Sequence, residues 1–236
     1  MHGMYNLNGA IGLQWVIFIV VMIVSYIIQA NLQHKFKKYF KVSLGNGMTG
    51  KDVALKMLQE NGIYDVTVTH TPGHLTDHYN PANKTVNLSE GVYEGESLMA
   101  AAVAAHECGH AVQHARAYAP LTLRSKLVPV VSFASQWMTW LLLIGLLMVN
   151  SFPQLLLIGI ILFATTTLFS FITLPVEINA SKRALVWLSN SGMTNAYNHR
   201  FAEDALRSAA YTYVVAALGS LATLVYYILI FLGRRD

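Results

Sequence analysis

Charge is scarce in this chain. Of its 236 residues only 12% are Asp, Glu, Lys or Arg, while 54% are hydrophobic and the mean hydropathy is +0.43. Soluble domains carry about 25% charged residues, so the shortage excludes an ordinary water-soluble globule and predicts a membrane protein. Cysteine is scarcer still. The single Cys108 excludes an internal disulfide and a cysteine-built structural metal cage. The first ten residues, MHGMYNLNGA, hold no Lys or Arg, so the apolar run behind them lacks the basic start of a cleaved signal peptide and reads as an uncleaved anchor. The net charge is +4, but its cations flank apolar runs without interleaved aromatics, which excludes a nucleic-acid partner.

Long apolar runs are what the chain has instead. Residues 11–30, 127–149, 154–174 and 209–232 are each long enough to cross a bilayer. Pro129 falls in the first turn of the second run, Pro175 closes the third, and a tight turn at 150–153 makes the two an antiparallel hairpin. Four spans place both termini on one side. Fourteen of the sixteen Lys and Arg residues then lie on the other side, leaving only Arg234 and Arg235 with the termini. That asymmetry predicts termini outside and connecting segments in the cytoplasm. The domain reading is a transmembrane anchor with its basic flank (1–40), a cytoplasmic domain (41–126), a transmembrane hairpin (127–174), a cytoplasmic helix (175–208) and a last span (209–236).

The water-facing stretch mixes helix and strand. Thr49 suits the N-cap of a helix that Asn61-Gly62 ends. Residues 63–69 and 85–88 favour strands through their β-branched residues, with a break at Thr71-Pro72-Gly73 and a turn at 81–84. Ser97 suits the N-cap of an alanine-rich helix running to about Tyr118. The expected fold is a mainly α membrane protein, four transmembrane helices plus a small α+β domain.

That helix contains His106-Glu107-Cys108-Gly109-His110. Two histidines four apart share one helix face, about 6 Å apart along the axis, where both imidazoles meet one Zn²⁺ at about 2.1 Å. Glu107, beside them, is placed to take a proton from a zinc-bound water. Cys108 points to another face and reads as a buried, inert thiol. A catalytic zinc needs a third protein ligand. His114 continues the even spacing, but eight residues of helix set it about 12 Å from His106. Glu177 is the first carboxylate after the hairpin, which returns the chain to the face it left, so Glu177 is the expected third ligand.

These motifs carry a resemblance. H-E-C-G-H, the hairpin, and Val176-Glu177-Ile178-Asn179-Ala180-Ser181-Lys182-Arg183-Ala184 look like the bacterial YugP-type neutral zinc metallopeptidases. So do residues 72–81, 88–93 and 209–214, so the similarity covers nearly the whole chain. A more distant similarity is to HtpX-like and prenyl-protein membrane peptidases, gluzincins with a cytoplasm-facing site. The resemblance implies a zincin-like domain with one Zn²⁺ per chain held by His106, His110 and Glu177, and Glu107 as general base. It implies a protein or peptide substrate, associated with the membrane because the site lies at its surface, and a place in the bacterial cell membrane. The HtpX-like pattern has an aspartate four residues after its ligand glutamate; here that place is Ser181, with Asn179 nearby.

A peptidase also needs an electrophile for the oxyanion. His199, Arg183, His78 and Tyr79 are the candidates. His74 and His78 flank Asp77, but the preceding Pro-Gly argues against a helical metal pair, and cleft shaping is the expected role. The strand at 86–88 is expected to be the edge that aligns an extended substrate. Two other readings compete. A site-2-type intramembrane metalloprotease uses a later Asp-Gly, which is absent here, as is any Asp within the four spans. A non-proteolytic scaffold with a structural zinc would fill four positions, often with cysteine.

Overall fold

The computed structural model describes residues 3–233, with side chains from Trp15 onward. Its elements are α1 (Gly3–Tyr39), α2 (Gly50–Glu60), β1 (Thr67–Thr71), β2 (His78–Asn80), β3 (Thr85–Ser89), α3 (Glu90–Tyr93), α4 (Leu98–Ala115), α5 (Ala119–Leu147), α6 (Pro153–Asn190) and α7 (His199–Gly233). Four of these, α1, α5, α6 and α7, are long and apolar enough to cross a membrane. The chain is a mainly α, multi-pass membrane protein with a small α+β part. Arg234 and Arg235, which the charge reading places with the termini, lie outside the described residues.

The chain divides into two compact units. The first comprises residues 1–27, 123–174 and 212–236. Within it α5 and α6 approach through glycine. A Cβ on Gly145 would lie 2.5 Å from the backbone nitrogen of Leu156, so no larger residue fits there without movement. Leu142, Leu156 and Ile160 form its small buried cluster. Thr167 and Ser220 hydroxyls meet at 2.7 Å and link α6 to α7.

The second unit comprises residues 28–122 and 175–211. Its core surrounds α4, whose residues 98–105 and 107–113 are all buried. A run of alanines is a strong helix former and lets neighbours approach from every side. Val53, Ala54, Met57 and Leu58 of α2, Val86 and Leu88 of β3, and Ala184 and Leu188 of α6 pack in that core. Ser97 caps α4 by accepting from the Ala100 N–H at 3.1 Å, and Thr49 caps α2 in a reciprocal capping box with Asp52. The segment before α4 is pinned by Leu98 N–H to Val42 O at 2.8 Å and Leu44 N–H to Glu96 O at 3.0 Å. Asp204 of α7 holds α1 by accepting from Lys35 Nζ and the Tyr39 hydroxyl, each at 2.7 Å.

The three-stranded sheet has the order β1-β3-β2, with β1 parallel and β2 antiparallel to β3. The strand at 85–89 is therefore central, not the edge. The edges are β1 and β2, and the three residues of β2 are too few to show an alternating pattern in sequence. The first strand starts at Thr67 and not at 63, because Ile63 is taken up in closing α2, its N–H bonding to Leu58 O at 2.9 Å.

Proline boundaries also move. The helix α6 runs through Pro175 and α5 starts ten residues before Pro129, so both prolines are internal. Proline removes one i→i−4 bond, but long apolar helices tolerate that where hydroxyls bond nearby carbonyls. Two residues before Pro175, the Thr173 hydroxyl bonds Phe169 O at 2.9 Å. The motif helix ends at Ala115 and not near Tyr118, because Ala117 takes a positive φ of 50°.

Candidate metal centre

Two helices build the site, and both stretches belong to the second unit. His106 and His110 come from α4, one turn apart on the same face. Glu177 comes from α6, two residues past the internal Pro175. Gly109 sets the distance between them. A Cβ there would lie 2.7 Å from Ala180 O and 3.1 Å from Ala180 Cα, so only glycine allows this approach of α4 to α6.

The approach brings three donors together. Glu177 Oε2 lies 3.3 Å from His106 Nε2 and 3.5 Å from His110 Nε2. The ligand-type atoms of the three residues lie within 4.8 Å of one another, and they form the one such group of three among the described residues. The imidazole rings stand nearly perpendicular, 86° apart with centroids at 4.9 Å.

The far side of each ring is held. His110 Nδ1 lies 3.0 Å from Gln113 Oε1. Gln113 is fully buried, and its amide donates to Val176 O at 2.8 Å and Asn179 Oδ1 at 3.0 Å. With the amide nitrogen so committed, Oε1 is the acceptor, His110 Nδ1 carries the proton, and the Nε2 lone pair is free for a metal. Asn179 Oδ1 also accepts from Arg183 Nε at 2.7 Å. His106 Nδ1 is 3.1 Å from Ser181 Oγ.

Electrostatics pull against solvation at this site. Burial is the largest influence on His110 and lowers its pKa. The hydrogen bond to Glu177, the charges of Glu107 and Glu177, and the Gln113 bond outweigh it, so the pKa ends above the usual imidazole value. Burial pushes the Cys108 thiol far up and keeps it protonated, with Sγ against Ala54 O at 3.5 Å.

Glu107 is buried and anchored from the sheet. Its Oε2 accepts the Tyr79 main-chain N–H at 3.0 Å. The edge strand β2 therefore lies alongside the motif helix, and the Tyr79 hydroxyl reaches His114 Nδ1 at 2.8 Å. His114, too distant along the helix to join His106, instead pairs with this tyrosine.

The remaining candidates take other partners. His199 Nδ1 bonds the Thr194 hydroxyl at 2.8 Å, and His78 Nδ1 donates to Thr76 O at 2.8 Å. Asp77 accepts from the Ser89 N–H at 2.7 Å, so it ties the loop to β3. Gln113 is the residue that sequence reasoning missed. Its signal was present: a polar amide one turn beyond His110 in an alanine-rich helix needs a partner once buried.

Comparison with known proteins adds to this geometry. Residues 14–232 match the family model described as "Putative neutral zinc metallopeptidase". The chain belongs to that family. It is also 44% identical over 212 residues to the "Putative membrane protease YugP" of Bacillus subtilis (strain 168), covering 90% of this chain and 93% of that protein. No solved structure matches the chain. The family description names a zinc peptidase, and the donor set fits: two imidazole nitrogens and one carboxylate oxygen, with both Nδ1 atoms occupied behind them.

Proposed function

We propose that this neutral zinc metallopeptidase is a membrane-embedded endopeptidase that hydrolyses peptide bonds with His106, His110 and Glu177 holding one zinc ion and Glu107 acting as general base. The observation that carries this reading is the convergence of those three side chains with Glu107 anchored beside them. Three protein ligands leave a position open, which distinguishes a catalytic from a structural zinc. Bound there, zinc supplies Lewis acidity for activating water and polarising a carbonyl.

The chain's own residues do the rest. Tyr79 N–H holds one carboxylate oxygen of Glu107, leaving the other to accept a proton from the attacking water and deliver it to the leaving amine. The edge strand β2 is the element beside Glu107 along which an extended peptide would align. Tyr79 is an oxyanion candidate on the strand that contacts Glu107, with its hydroxyl paired to His114. Arg183 supports the ligands through Asn179 and Gln113, and Ser181 supports His106. The basic connecting segments favour a site in the cytoplasm of a bacterial cell, with both termini outside. A site tied to membrane spans favours substrates that are themselves at the membrane.

The test pairs metal content with cleavage in the detergent-purified chain. Wild type and Glu107→Gln are expected to hold about one zinc each, Glu177→Ala to lose it. Cleavage is expected to fall by about 10²–10⁴-fold in Glu107→Gln. Wild-type cleavage by Glu107→Gln, or full zinc in Glu177→Ala, would overturn the assignment.

A further inference from the structure

Three cations of the second unit face one pocket without a carboxylate partner among the described residues. They are Arg116, just past α4, and Lys182 and Arg183 on α6. In that unit Lys35 pairs with Asp204, Lys56 with Glu60 and Lys84 with Asp65, while Lys37 and Lys41 likewise form no salt bridge among the described residues. What sets Arg116, Lys182 and Arg183 apart is that all three line one pocket. The pocket lies between α2, α4 and residues 175–190 of α6, and its volume is about 370 Å³. Small-molecule sites occupy about 300–1,000 Å³, so there is room for more than a bare ion.

The pocket is built, not merely charged. Its floor is apolar and buried: Met57, Val112 and Trp187. Trp187 is fixed by its indole N–H to Glu60 Oε2 at 2.7 Å, and Glu60 is itself neutralised by Lys56 at 2.8 Å. Arg183 Nε is held by Asn179 Oδ1 at 2.7 Å and Arg116 Nη2 by Asn61 Oδ1 at 3.2 Å. Each guanidinium is thereby oriented while most of its N–H donors remain available. Glu177 and Arg183 are six residues apart on one helix, which places them on different faces. None of His106, Glu107, His110 and Glu177 lines the pocket, although Asn179, which accepts from both Gln113 and Arg183, stands between the two sites.

We propose that this pocket binds a phosphate-bearing anion, held by Arg116, Lys182 and Arg183, with the organic part of the ligand against Trp187, Met57 and Val112. Three converging cations repel one another and are relieved by a multivalent anion. A phosphate group offers about −1.5 to −2 charge and three acceptor oxygens, and arginine forks match it in pairs. The same chemistry is presented by a soluble phosphate and by the headgroup of an anionic lipid. The assignment stands independently of the peptidase reading, because it invokes neither zinc nor Glu107.

Calorimetric titration of the detergent-solubilised full chain tests it, with inorganic phosphate in one arm and short-chain phosphatidylglycerol in the other. One ligand per chain is expected to saturate the wild type. Binding is expected to weaken by about tenfold or more in Arg116→Gln/Lys182→Gln, the loss of at least one charge-assisted hydrogen bond. Asn190→Asp, which adds a carboxylate at the exposed rim, serves as a second variant and is expected to weaken binding through repulsion. Saturation by phosphate identifies a soluble ligand, and saturation by phosphatidylglycerol alone identifies a lipid headgroup. Saturation in neither arm, or equal binding by wild type and both variants, would overturn the proposal.

Discussion

The two units treat the same kinds of residue in opposite ways. In the second unit Leu98, Met99 and Leu188 are fully buried around α4. In the first, Phe133 and Trp140 of α5 are 60% and 61% exposed, and the buried cluster holds Leu142, Leu156 and Ile160. The second unit has its own hydrophobic core and is driven together by water. The first leaves its apolar side chains for lipid, so its helices must associate through close packing and hydroxyl bonds, as at Gly145 and Thr167–Ser220. The group of three potential metal-ligating side chains, which must be fixed within tenths of an ångström to hold an ion, is found in the unit that packs its own interior.

Truncation should separate the units most sharply. Leu188→Ala empties a fully buried position and is expected to destabilise the chain by about 2–5 kcal/mol. Leu143→Ala removes a side chain 51% exposed on α5 and is expected to change stability by less than about 0.5 kcal/mol. Thermal unfolding in detergent reads both. Equal losses would break the distinction between a self-packed unit and a lipid-packed one.

Glycine offers a finer cut, since both units use it for close approach. Gly109→Ala forces a Cβ against the Ala180 backbone, and Gly145→Ala forces one against Leu156. Overpacking of this kind costs about 1–3 kcal/mol in either place. Metal content should divide them, because only Gly109 lies between the helices that carry His106, His110 and Glu177. Retention of full zinc by Gly109→Ala would show that the helix approach does not set the ligand geometry.

What was legible in the sequence follows the same division. Four apolar runs announced themselves by length, and the caps at Thr49 and Ser97 by residue type. The helices extend well past the apolar runs, because hydropathy ends where polar residues begin while the backbone ladder continues through Pro175 and back to His199. The pair His106 and His110 was legible because helix spacing is local. The carboxylate of Glu177 needed a topological argument, and its distance to the histidines needed the Gly109–Ala180 contact. Strand order was not legible: β2 is three residues long, and its place at the edge beside Glu107 depends on pairing that short segments do not encode. The role of Gln113 was hidden because its partners, Val176 and Asn179, lie more than sixty residues away.

That glutamine gives a prediction confined to the site. Gln113→Leu keeps an apolar volume in α4 but leaves His110 Nδ1 without its acceptor and frees the ring to turn. Loss of such an outer partner lowers metal affinity by about 10–100-fold. Competition with a zinc chelator measures it, and wild-type affinity in Gln113→Leu would show that the buried amide serves packing alone.

The smallest expected effect concerns pH, and it again belongs to one unit, since the described residues of the first unit contain no histidine. In the metal-free chain His110 has a folded pKa above its unfolded value of about 6.5, because Glu177 and Glu107 favour its charged form more than burial opposes it. A raised pKa contributes stability that is fully present below the unfolded value and is lost as pH rises through the folded one. Metal-free protein should therefore lose stability from this group on going from pH 6 to pH 8. Zinc reverses the sign, because a ligating imidazole must be neutral, protons compete with the ion, and stabilisation by a bound ligand grows with its affinity. Melting temperatures of chelator-stripped and zinc-loaded chain across that window should run in opposite directions. Parallel slopes would mean that His110 does not exchange a proton for the metal, and the Nε2 lone pair assigned to the ion would have to belong elsewhere.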